Sequence, residues 1–86
     1  MSSKRIVIDV REPFEYQAGH VEGALNIPPA DLISGAAALN GVDKDTEIIV
    51  YCRTGSRSNA SIQILKQMGF TNLVNGINQG HVEKTI

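Results

Sequence analysis

The sequence predicts an α/β domain: a small, mostly parallel central sheet flanked by helices on both faces. Three observations carry that expectation. Two runs of β-branched residues, Ile6-Val7-Ile8 and Ile48-Ile49-Val50, read as strands buried on both faces. Segments with helical spacing lie between and after them, so strand and helix alternate along the chain. The 86 residues, 42% hydrophobic and 20% charged, suffice for one small core and are too apolar for disorder. A single domain over residues 1–86 is therefore expected.

Taken in order, Arg5 to Val10 forms the first buried strand. Glu12 to Ala18 reads as a short helix, with Pro13 in its first turn and Gly19 as its stop. Ala24 to Ile27 is a brief strand ahead of Pro28-Pro29, and Pro29 to Leu39 is a second helix that contains Gly35. Asp43 to Thr46 is a polar turn leading into the second strong strand, Glu47 to Tyr51. A polar loop follows Cys52, and a helix then runs from about Ser58 to Met68. Its Ile62, Leu65 and Met68 recur at helical spacing, and Gly69 closes it. Asn72 to Val74 is a short strand, and Val82 to Ile86 is at most one helical turn. Right-handed crossovers between such strands give a parallel sheet whose reactive groups sit beyond the strands' carboxyl ends. Cys52 and the segment Asp9-Val10-Arg11 both fall there.

Composition excludes several classes of function. A formal net charge of −1 leaves no basic footprint for nucleic acid or for an anionic membrane. The apolar runs are a few residues long, far short of a membrane span. The N-terminal Met1-Ser2-Ser3-Lys4 lacks the features of a secretory signal. One cysteine permits no intrachain disulfide, and a reducing, cytoplasmic setting is the expectation. One Cys and two widely separated His make no zinc set.

The chemistry concentrates in Tyr51-Cys52-Arg53-Thr54-Gly55-Ser56-Arg57-Ser58. A strand ends in Cys52, a tight loop follows, and a helix begins. If the loop curls around the sulfur, its N–H groups form an anion-binding nest and the helix N-terminus adds partial positive charge. Arg53 and Arg57 are expected to add two full charges, so that thiolate is favoured over thiol. A core cysteine needs none of these neighbours, which marks Cys52 as the reactive residue. Arg53, Thr54, Gly55, Ser56 and Arg57 are the substrate-binding candidates. Ser56 and Ser58 either donate to a bound anion or cap the following helix.

Spacing narrows the chemistry further. Thiol phosphatases and arsenate reductases place five residues between Cys and Arg to cradle a tetrahedral oxyanion; here there are four, enclosing a smaller volume. A thioredoxin-like site needs Cys-x-x-Cys, and position 55 is Gly. A papain-like site needs a His base beside the thiol, and neither His20 nor His81 is placed there by the sequence.

Two separated stretches resemble the rhodanese family. The first runs from Ile8-Asp9-Val10-Arg11-Glu12 through Gly19-His20-Val21 to Gly23-Ala24-Leu25-Asn26-Ile27-Pro28; the second is the cysteine loop with the helix ending at Met68-Gly69-Phe70. The resemblance implies a compact α/β domain and a ping-pong sulfurtransferase. In it a Cys52 persulfide carries sulfane sulfur from thiosulfate, or another persulfide donor, to cyanide or a thiol acceptor. It implies no metal and no organic cofactor, and its partners are small molecules or protein thiols of the thioredoxin-like kind. A cationic loop in this family goes with thiosulfate in preference to 3-mercaptopyruvate. The alternative is a non-catalytic or relay module of the same family. Asp9, Arg11 and His20 are read as scaffold, with Arg11 pairing to Glu15 at i, i+4 spacing and His20 fixing a turn by hydrogen bonding. Phe14 and Tyr16 are read as packing residues.

Overall fold

The computed structural model describes residues 5–86, so the reading of the N-terminal Met1 to Lys4 lies outside the described residues. Four strands, β1 (Arg5–Asp9), β2 (Leu25–Asn26), β3 (Glu47–Cys52) and β4 (Leu73–Asn78), form one parallel sheet in the order β2-β1-β3-β4. Four helices accompany them: α1 (Pro13–Ala18), α2 (Pro29–Ile33), α3 (Ser56–Gln67) and α4 (Gln79–Thr85). This is the α/β architecture expected from the alternation of patterns.

The central strand β3 is buried on both faces, and its side chains alternate between two cores. Ile48, Val50 and Cys52 pack with Leu32, Leu39, Ile62, Leu65 and Phe70, beneath α2 and α3. Ile49 and Tyr51 pack with Val21, Ala24 and Val82, beneath α1 and α4. Burial on both sides is what favours an unbroken β-branched run over an alternating one.

Three expectations change. The helix expected over Pro29 to Leu39 stops at Ile33, because Gly35 (φ +111°) and Ala36 (φ +48°) both turn left-handed. A short 3-10 turn at Ala37–Leu39 then restarts the chain and buries Leu39. The last strand is longer than Asn72 to Val74, running Leu73–Asn78 because pairing with β3 outweighs the weak strand propensity of Asn75-Gly76. The closing helix has seven residues rather than one turn, since Asn78 caps it by accepting from the His81 N–H at 2.8 Å.

The β4 pairing contains a bulge. Val50 faces Asn75 and Tyr51 faces Ile77, which leaves Gly76 as the extra residue. A side-chain carbon at Gly76 would stand 2.9 Å from Ile49 Cγ2 and closer still to Val82 Cγ2. Gly76→Ala is therefore expected to lower stability by about 1–3 kcal/mol through overpacking. Urea unfolding of the variant against the parent chain measures the difference.

Candidate active site

Cys52 is the last residue of β3 and is buried, at 2% exposure. The chain turns at once through Arg53 and Thr54 to Gly55, whose φ of +97° lies in the left-handed region that glycine adopts without strain. That turn sets the N-terminus of α3 directly on the sulfur. Sγ accepts from the Gly55 N–H at 3.1 Å and the Ser58 N–H at 3.4 Å, and as a thiol it donates to the Ser58 hydroxyl oxygen at 3.6 Å. Burial alone pushes the thiol pKa up. The Ser58 hydroxyl and the backbone N–H groups of Ser58, Thr54 and Gly55 outweigh it and bring Cys52 down to about 7. The nest expected from the sequence is present.

The arginines are less available than the sequence suggests. Arg57 forms a two-pronged ion pair with Glu15 of α1, Nη1 to Oε1 at 2.8 Å and Nη2 to Oε2 at 3.2 Å. This pair holds the Glu15 carboxyl down at about 2, with the Glu12 N–H assisting. Arg53 is exposed. Hydrogen-bonding dipoles are thus the main groups that lower the thiol pKa, with Arg57 near enough to interact with the Cys52 charge. Thr54 and Ser56 lie exposed on the loop, their hydroxyls 3.3 Å apart. Ser58 is fully buried and lies against the sulfur, while Ser56 makes no capping bond.

Asp9 and Arg11 join Tyr51 on the face of β3 opposite the sulfur, and His20 packs with Tyr16 at the end of α1. Asp9 is fully buried and takes the Arg11 guanidinium on both oxygens, at 2.7 to 3.1 Å, together with the Arg11 N–H at 2.9 Å. Arg11 also donates to the Gly19 carbonyl at 2.7 Å. The expected pair of Arg11 with Glu15 does not form. Asp9 is nearer in the turn and buried, whereas Glu15 faces Arg57 from the far element. Tyr51 donates its hydroxyl to Asp9 Oδ2 at 2.9 Å and accepts the Val21 N–H at 3.0 Å. His20 donates Nδ1–H to the Tyr16 carbonyl at 2.8 Å and stacks on the Tyr16 ring at 3.6 Å, closing the turn after α1. Tyr16 is half-buried and bonds the Ala24 carbonyl at 2.6 Å, whereas Phe14 is 72% exposed and packs against little. Among the described residues, no group of His, Cys, Asp and Glu is arranged to hold a metal ion, and no helix is long and apolar enough to cross a membrane.

One residue of the site escaped the sequence reading. Asn75 Oδ1 accepts from the Ser58 hydroxyl at 2.7 Å and from the Ile77 N–H at 2.9 Å, while Nδ2 donates to the Gly55 carbonyl at 3.2 Å. It braces both residues that face the sulfur. The bulge at Gly76 aims it there, and Ile77 beyond adopts φ +72°, a strained conformation for a β-branched residue. The local signal was Asn-Gly inside a strand, which marks a bulge but not its target.

A family model described as Rhodanese-like domain matches residues 1–83. The chain belongs to this family. Thiosulfate sulfurtransferase PspE of Escherichia coli is 41% identical over 68 residues, covering 79% of this chain and 64% of that protein. An adenylyltransferase and sulfurtransferase of Saccharomyces cerevisiae is 34% identical over 79 residues, covering 83% of this chain and 18% of that protein. The rhodanese match thus spans less than two thirds of the length of either curated relative. Among solved structures, a rhodanese with anions from E. coli has a TM-score of 0.80 at 36% identity, covering 91% of each chain. A rhodanese-related protein from Thermoplasma volcanium has a TM-score of 0.72 at 32% identity, covering 93% of this chain and 78% of that one.

The brace generates a prediction about acidity. Asn75→Ala frees the Gly55 carbonyl and the Ser58 hydroxyl to reorient, so the amides converge less well on Sγ. The pH midpoint of Cys52 alkylation is expected to rise from about 7 by roughly half to one unit, each unit being about 1.4 kcal/mol. Iodoacetamide labelling rates across pH report it, and an unmoved midpoint shows that Asn75 does not tune the thiol.

Proposed function

We propose that this chain is a sulfurtransferase in which Cys52 carries the transferred sulfur as a persulfide. The observation that carries the reading is the convergence of the Gly55 and Ser58 N–H groups and the Ser58 hydroxyl on one buried sulfur. Such a pocket stabilises a sulfur anion and excludes the water that would compete with it. The names of the relatives in E. coli and S. cerevisiae support the same reading.

In the first half-reaction the Cys52 thiolate attacks the outer sulfur of thiosulfate. The bond to the sulfonate sulfur breaks with its electron pair, sulfite leaves as a dianion, and Cys52–S–S⁻ remains. A hydropersulfide RS–SH is a second donor: it gives Cys52–S–SH and RS⁻. In the second half-reaction cyanide attacks the outer sulfur, thiocyanate departs, and the thiolate is restored; a thiol acceptor, small or on a protein, takes the place of cyanide. Arg53, Thr54, Gly55 and Ser56 line the approach to the sulfur in this scheme, with no metal or cofactor required. A thiol near 7 suits the cycle, since it attacks as thiolate at neutral pH and leaves readily. The phosphatase reading is the poorer one. Its oxyanion needs a free arginine closing the loop, and Arg57 is paired with Glu15.

Mixed with thiosulfate, the chain is expected to gain one sulfur atom by intact mass, removable by dithiothreitol. Cys52→Ser is expected to fold normally, gain no sulfur and form no thiocyanate from thiosulfate and cyanide. Thiocyanate formation by Cys52→Ser at more than a small fraction of the parental rate overturns the proposal.

A further inference from the structure

We propose that Glu15 governs donor choice: it competes with anionic ligands for Arg57 and so biases the site away from dianionic donors such as thiosulfate, toward hydropersulfides. The inference rests on the sulfurtransferase reading, and it departs from the expectation of a cationic loop built for thiosulfate.

The loop carries two cations in its sequence but offers fewer to a ligand. Both guanidinium nitrogens of Arg57 that face Glu15 are occupied in a fork that matches a carboxylate. The same fork is the geometry with which arginine takes an oxyanion. An anionic donor and Glu15 therefore want one surface of one side chain. The pair sits at the rim: the Arg57 side chain is 38% exposed and Glu15 only 12%. Arg57 can thus be reached from solvent, while Glu15 stands behind it. Arg57 also lies close enough for the Cys52 and Glu12 charges to act on it, so its partner affects what arrives at the sulfur.

Charge decides the direction. With Arg57 neutralised by Glu15, the other cation of the loop is Arg53, which is exposed and screened by salt. A dianion approaching Cys52 meets a site with little net attraction and must displace Glu15 to gain a fork of hydrogen bonds. An uncharged hydropersulfide makes no such demand. Glu15 stays ionised down to about pH 2, so the bias holds across the working range of pH.

Glu15→Gln is a clean probe, because a glutamine keeps an oxygen for the Glu12 N–H that Glu15 accepts at 2.9 Å. Thiosulfate binding is measured by calorimetry on Cys52→Ser protein, which binds without reacting. Adding Glu15→Gln is expected to tighten binding about tenfold, and adding Arg57→Ala to that pair is expected to abolish the gain. In protein that retains Cys52, Glu15→Gln is expected to raise kcat/KM for thiosulfate relative to a hydropersulfide by a similar factor. The change is expected in KM, with kcat within about twofold. Thiosulfate binding that is unchanged or weaker in Glu15→Gln overturns the proposal, for then Glu15 orients Arg57 for the ligand. Tighter binding in a chain whose Cys52 takes sulfur from neither donor leaves the competition standing and removes the transferase reading alone.

Discussion

A sulfur anion held away from water is costly unless fixed dipoles replace the solvent, and most of this fold exists around that constraint. Cys52 is buried at the end of the central strand, where burial by itself opposes the thiolate. The remedy is a helix start folded over the sulfur, made possible by the left-handed Gly55. A residue with a side-chain carbon at position 55 has to hold φ near +97° against its own backbone. The parallel order of the sheet follows from the same need, since only a strand followed by a crossover helix brings a helix N-terminus to a strand's carboxyl end.

Adjacent residues of β3 divide the labour by pointing to opposite faces. Cys52 faces α3, whereas Tyr51 faces the α1 and α4 side and ties Asp9 to the Val21 N–H. Burial, ahead of its hydrogen bonds, raises the Tyr51 phenol to about 12, so it stays a protonated donor to Asp9. Arg11 balances the Asp9 charge and reaches Gly19 beyond it. The end of the central strand is thus anchored one residue before the sulfur, on the opposite face of the sheet. This explains how the Asp-Val-Arg segment supports the site without touching it: its effect passes through the strand.

What was legible in the sequence is what local pattern encodes. The β-branched runs gave β1 and β3, the helical spacing of Ile62 and Leu65 gave α3, and the strand-Cys-Gly-helix order located the nest. What was not legible depends on partners distant in the chain. Glu15 and Arg57 are 42 residues apart, and nothing in either segment announces the pair. Asn75 reaches Ser58 only because one extra residue in β4 turns it, a matter of register that no single-strand pattern records. The Arg57–Glu15 pair is hidden for the same reason: Arg57 lies near Cys52 in sequence and in space, and only the fold brings Glu15 to it. Helix α4 was underestimated because its cap, Asn78, also ends a strand.

Dipoles at the sulfur and an ion pair at the rim separate two properties that a cationic loop would have joined. Had arginines made Cys52 acidic, the charges that stabilise the thiolate would also have drawn in every anion, and salt would have weakened both effects together. Backbone N–H groups and a buried hydroxyl stabilise the sulfur at short range, add no net charge, and are little affected by ionic strength. Asn75 and Gly55 hold the loop that lowers the thiol pKa, whereas in the proposed scheme Arg57 and the carboxylate that holds it set the attraction for anions at the rim. Because the two settings rest mainly on different residues, on the proposed reading a loop of one sequence pattern keeps its sulfur acidic while its rim alters the donors that reach it.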